Sequence, residues 1–232
     1  MNIYKYKNKG AKVFRTGLFV STFLILMLAG NAAGVEQTFT NPNVITIPDS
    51  GPASPYPSNI AVAGLSGNIL KVTVKLNSLE HTFTKDIDVL LVGPNGNAII
   101  MSDVGNGYPG VSGVTLTLDD TAANFMPDES LLVTGTYKPT NIGDSDVFPF
   151  PAPSPSGGSA LTVFKGIDPN GVWSLYVVDD IAFDGGAFIN GWELTITTDD
   201  TQTQGIPEFP TMALPVISVI ALMFFVVRRK HN

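Results

Sequence analysis

Two histidines, no cysteine and twenty acidic side chains bound the chemistry open to this chain. A hydrolytic triad needs a nucleophile, a base and an orienting acid. His231 lies in the basic end of the chain, and His81 sits just ahead of a strand, where a hydrogen-bonded structural imidazole is expected. No Gly-x-Ser-x-Gly elbow occurs. Asp49-Ser50-Gly51 matches the triplet of aspartic proteases, but that chemistry takes two carboxylates sharing a proton, and there is no second copy. Zinc lacks its usual ligands: there is no cysteine and no His-Glu-x-x-His. The sequence therefore predicts no enzyme.

Calcium is the metal that suits these residues, because it takes oxygen ligands and tolerates loops. Asp179, Asp180 and Asp184 form the best local set, with Gly185 and Gly186 letting the backbone turn. Asp86, Asp88, Asp103, Asp119 and Asp120 join them if the fold gathers strand ends together. The alternative is that these acids cap turns and keep strand edges from pairing. Among the aromatics, Trp173 and Trp192 head inward rows, whereas Tyr108, Tyr137, Phe148 and Phe150 lie in loops and are candidates for a contact surface.

The elements that must position these groups are strands. In residues 164–198, Trp173, Leu175 and Val177 share one face, and Trp192, Leu194 and Ile196 share another. That period of two reads as paired strands with one buried face. Leu70, Val72, Val74 and Leu76 alternate with Lys71, Thr73 and Lys75, giving a half-exposed strand. Residues 86–92 are apolar on both faces past Asp88, as a central strand would be, and Gly93-Pro94-Asn95-Gly96 turns them into residues 98–101 as a hairpin. Residues 114–118 add a strand, and 131–134 and 161–164 are weaker candidates. The proline-rich stretch 49–58 suits an edge, and 139–159 is a long loop pinned by Phe148 and Phe150. Eight or nine strands separated by turns predict an all-β antiparallel sandwich.

The ends read differently. Lys5, Lys7, Lys9, Lys12 and Arg15 precede an apolar run and small residues, so residues 1–33 are expected to be a signal peptide. Residues 199–206 form a linker, and residues 212–227 an apolar segment of roughly 24 Å as a helix, short for a ~30 Å hydrocarbon core unless its flanks help. Arg228, Arg229 and Lys230 after it place the tail inside and the domain outside. With those eight cations at the ends, five basic residues remain between them against twenty acids. Such a domain repels phosphate backbones, which excludes nucleic acid as a partner.

Ile47-Pro48-Asp49-Ser50-Gly51-Pro52-Ala53 with Tyr56-Pro57-Ser58, then His81, Asp86, Asp88 and Leu91-Val92-Gly93-Pro94-Asn95-Gly96, resembles the P domain, or Homo B domain, of proprotein convertases. Phe164, Gly166, Pro169-Asn170-Gly171, Trp173, Leu175, Asp179-Asp180, Gly191-Trp192 and Leu194 continue the pattern in order, so the resemblance covers about residues 37–198. It implies a jelly-roll β-sandwich, and members of that family can bind calcium. In convertases the module follows a subtilisin-like catalytic domain and stabilises it. No such domain occurs in this chain, so a peptidase label would describe the module's usual neighbour.

Pro207, Glu208, Phe209, Pro210 and Thr211, followed by an apolar helix and a basic tail, resemble the PEF-CTERM sorting signal of archaeal surface proteins. That resemblance implies a membrane-held, cell-surface protein read by an archaeosortase-like transpeptidase. The resulting expectation is a noncatalytic surface module for interaction or envelope structure. Its rivals are an accessory module for a separately encoded subtilisin-like protease and a calcium-dependent carbohydrate-binding or adhesion module. A surface protein, a protease or a glycan is the corresponding partner.

Overall fold

The computed structural model describes residues 34–199 apart from 144, 145 and 157. The expected signal segment 1–33, the linker past Asp199 and the sorting region 207–232 with its helix 212–227 lie outside the described residues. Among the described residues, no helix is long and apolar enough to cross a membrane.

Two sheets pack face to face. The described residues of the first form seven strands: β1 (Val35–Asn41), β2 (Ile45–Ile47), β5 (Ile69–His81), β8 (Val111–Leu118), β9 (Gly135–Tyr137), β12 (Gly186–Phe188) and β13 (Trp192–Thr198). Those of the second form six: β3 (Gly51–Pro52), β4 (Ser58–Val62), β6 (Ile87–Gly93), β7 (Gly96–Ser102), β10 (Thr140–Asn141) and β11 (Gly171–Asp179). The sheets are mixed rather than wholly antiparallel, because β9 and β10 return alongside β8 and β7 in the parallel sense. Strand β5 is the spine of the first sheet, with β13 and then β12 along one side and β8 along the other.

The rows headed by the tryptophans are all fully buried, but they do not belong to paired strands. Strand β11 lies in the second sheet, and β13 in the first. Their inward faces therefore line opposite walls of one core: alternation fixes which face is buried and is silent on the bonding partner. Trp173 Nε1 donates to the Pro169 carbonyl at 3.0 Å, and Trp192 Nε1 to Ser58 Oγ at 3.0 Å, so both buried indoles are satisfied. The Phe164 ring meets Trp173 with centroids 4.8 Å apart. The hairpin turn must leave room for them: a Cβ on Gly93 would fall 2.9 Å from Trp173 Cζ3.

Strand β5 departs from strict alternation in two places. Leu70 is 44% exposed and Ile69 is buried instead, because the β13 register shifts between Thr197 and Thr198, opposite Ile69. A second irregularity at Ser78, whose φ is +53°, resets the phase so that Leu79 and His81 point inward. His81 is thus the last residue of β5 rather than a loop residue ahead of the next strand.

Strand β6 is central, flanked by β7 and β11, and it forms the expected hairpin with β7. Its second apolar face has its own cover: Leu90, Ile99, Tyr176 and Val178 pack with Phe148 from the loop after β10. Phe148 is therefore a core residue, while Phe150 is left 94% exposed. Residues 131–134 form no strand, and Leu161–Phe164 is a 3-10 turn. Asp120 decides the latter, because its carboxylate accepts the Leu161 and Thr162 amides at 3.0 and 2.7 Å and caps the turn. Replacing Trp173 with Ala should cost about 3–5 kcal/mol of stability, through lost burial and the cavity left against Phe164. Chemical denaturation measures this, and a cost under about 1 kcal/mol would contradict the packing described.

Candidate metal centre

Because β6 runs antiparallel to β7 and β11, its start lies beside their ends, and acids at those ends meet. Asp86 closes the 3-10 turn Thr84–Asp86, Asp88 is the second residue of β6, Asp103 follows β7, and Asp179 ends β11 with Asp180 after it. The Asp180 amide donates to the Asp86 carbonyl at 3.0 Å, tying the β11 end to the turn. Asp146, from the loop after β10, and Asp184, before β12, complete the set.

Within it, Asp88, Asp103 and Asp146 each bring one carboxylate oxygen within 4.8 Å of the others. Asp88 is only 2% exposed. Ser102 Oγ lies 2.9 Å from Asp146 Oδ1 and 3.2 Å from Asp103 Oδ2. Asn141, paired with Ser102 in the β10–β7 register, holds a buried Oδ1 without a hydrogen-bond partner. Among the described residues no lysine or arginine forms an ion pair with any of the seven acids. The nearby Lys85 is engaged by Asp128 and Glu129 at 2.7 and 3.1 Å.

Loss of water raises the carboxyls of Asp86, Asp88, Asp103, Asp179 and Asp180, and repulsion from neighbouring acids raises them further. Burial pushes Asp88 up to about 8, with Asp146, Asp180 and Asp103 adding to it. Asp86 rises to about 6 through burial and then Asp184, Asp179 and Asp180. Asp103 and Asp180 shift in the same direction, again led by burial.

Asp179 and Asp184 lie with His81 in a second group, in which the imidazole is committed while Asp184 Oδ1 is buried without a hydrogen-bond partner. Phe83 N–H donates to His81 Nδ1 at 3.1 Å, so the neutral ring carries its proton on Nε2 and donates it to Asp179 Oδ2 at 3.0 Å. Both side chains are fully buried. No ring lone pair is left for a metal or for accepting a substrate proton. Asp184 Oδ2 is bonded by Thr82 Oγ1 at 3.0 Å.

The expected acids thus divide. Asp86, Asp88, Asp103, Asp179, Asp180 and Asp184 gather at one end, whereas Asp119 and Asp120 do not join them. Asp119 pairs with Lys71 at 2.7 Å and bonds Thr121, which together hold its carboxyl below the usual range despite partial burial. Asp120 is the cap of the 3-10 turn. Sequence reasoning did not single out Asp146, Ser102 or Asn141. The available signal for Asp146 was its place two residues ahead of Phe148, the aromatic that pins the loop.

The Asp88 group fits a calcium ion. Calcium–oxygen bonds of about 2.3–2.6 Å put ligand atoms on opposite sides of the ion about 5 Å apart at most, and the three oxygens lie inside that span. The His81 group offers no ring nitrogen, since both are committed, and leaves only carboxylate oxygens such as the unpartnered Asp184 Oδ1 for a cation. Without a divalent cation, stability should fall as pH rises from about 4 to about 8. The folded state keeps protons on Asp86 and Asp88 that the unfolded chain releases near 4. Melting midpoints in chelator across that range test this: Asp88→Asn should flatten the fall, and a midpoint that climbs with pH would refute it.

Residues 206–230 match the PEF-CTERM archaeal protein sorting domain. Leupeptin-inactivating enzyme 1 of Streptomyces exfoliatus is 28% identical over 167 residues, which is 72% of this chain and 28% of that protein. The chain thus spans little more than a quarter of that relative's length. No solved structure gives a significant match.

Proposed function

We propose that this chain is an exported, surface-held, noncatalytic β-sandwich of P/Homo B type, used for interaction or envelope structure and completed by calcium at Asp88, Asp103 and Asp146. The observation that carries the metal reading is the convergence of three carboxylates, one of them deeply buried, with no described lysine or arginine in an ion pair with any of them. An ion bound there would remove the repulsion among the acids and join the ends of β6 and β7 to the loop that covers the second sheet. The occupied ring nitrogens of His81 support a noncatalytic role. The sorting-domain match at residues 206–230 supports surface delivery and processing by an archaeosortase-like enzyme.

The relative's name leaves room for a second reading, an accessory module for a separately encoded protease. The matched part is 28% of that enzyme, so its chemistry can reside in the remainder. A defined complex with such a protease, together with altered protease stability, would favour this reading.

Thermal unfolding of the full chain in calcium and in chelator tests the metal. Stabilisation of about 2.7 kcal/mol is expected at a hundredfold excess over the dissociation constant. Asp88→Asn and Asp103→Asn should abolish the calcium response, while Asp120→Asn should lower the midpoint equally in both conditions. Identical wild-type midpoints with and without calcium would sink the proposal. For delivery, alanine at Pro207, Glu208 and Phe209 should leave the C-terminal peptide attached in protein isolated from its source. Mass spectrometry showing the same mature C-terminus in that variant would rule out sorting through this motif.

A further inference from the structure

A trough of about 530 Å³ opens where the end of β5, the start of β8 and the entry to β12 meet. Residues 80–82, 109–112 and 185–187 form its walls. Gly186, in one wall, lets β12 close against β5: a Cβ there would fall 1.9 Å from the Glu80 carbonyl oxygen and 2.7 Å from the His81 ring. Glu80 supplies the exposed carboxylate, accepting from Ser112 Oγ at 3.2 Å, and Thr82 adds a hydroxyl. No lysine or arginine lines it.

Two aromatic side chains stand in water on the same loops. Tyr108, next to Pro109, is 80% exposed, and Phe183, two residues before Gly185, is 95% exposed. Phe183 has φ of +107°, a region that bulky L-residues avoid, and Asp49 holds its amide there. Such backbone strain persists only where the surroundings enforce it. Here it displays a ring that contributes almost nothing to the core.

The wall chemistry selects the ligand class. Carboxylates behind and within the trough, unrelieved by cations, repel phosphate and carboxylate groups. A neutral pyranose matches: its hydroxyls can donate to Glu80, and its C–H face can lie on an exposed aromatic ring. We propose that this trough is a saccharide-binding site, with a neutral hexose chain bonded by Glu80 and stacked on Phe183, on the loop that enters the trough at Gly185. The site lies outside the Asp88 group, so it does not rest on the calcium reading.

The test uses the full chain in a detergent without sugar headgroups, with fluorescent cellohexaose and mannohexaose as probes and hexalysine as competitor, in calcium and in chelator. At least one oligosaccharide should bind. Phe183→Gly should weaken binding tenfold or more while leaving the melting midpoint unchanged or raised, since glycine adopts φ of +107° freely. Glu80→Gln should weaken it as well, and Phe150→Ala should not. Calcium-independent binding would uphold the trough even if the metal proposal fails. The inference is overturned if neither oligosaccharide binds, if binding survives Phe183→Gly, or if hexalysine alone binds, which would indicate a cationic partner.

Discussion

Buried carboxylates without cations are the constraint on which this end of the molecule turns. A charge moved out of water is tolerated only when it is paired, bonded or neutralised. Antiparallel pairing brings the start of β6 beside the ends of β7 and β11, and each of those positions carries an aspartate. The fold resolves one conflict internally, by turning His81 inward at the end of β5 to donate to Asp179. Asp88, Asp103 and Asp146 keep theirs, with only the Ser102 hydroxyl shared between two of them.

The same arrangement couples the site to a layer that the main core does not contain. Tyr56 packs edge-on against Tyr176 at 4.9 Å, and their hydroxyls donate to the Pro149 and Pro151 carbonyls. Burial and the neighbouring Tyr176 push the Tyr56 phenol up to about 12, so its bond to the Pro149 carbonyl is kept across the physiological range. The loop so fixed brings Phe148 over β6 and Asp146 to the acids. Packing on the outer face of the second sheet and electrostatics at its end therefore share one segment.

Much of the sandwich was legible because period-two burial is local: the rows on β5, β11 and β13 and the hairpin at Gly93 are visible within a few residues. What alternation withholds is the partner, and so β11 and β13 read as a pair although they face each other across the core. Distant neighbours set the remaining differences. Asp119 and Asp88 look alike in the chain, yet Lys71, 48 residues away, neutralises one and no described lysine or arginine neutralises the other. Likewise Asp120 makes a turn of an apolar run 41 residues later, which by composition alone suits a strand. Asp146 was obscured because it comes from an irregular loop, where spacing carries little information about which acids converge.

Strand β13 is paired along its length with β1 on one side and β5 on the other, from Trp192 opposite Asn41 and Leu76 to Thr198 opposite Val35 and Ile69. The chain leaves the sandwich from the Thr198 end. A pull exerted from beyond Asp199 along the strand axis would load the flanking ladders in shear, with many bonds strained together rather than opened one by one. A tether at this end would therefore draw on the mechanically strongest direction of the sheet, and the domain could hold its shape under drag that would peel away a strand gripped from its side.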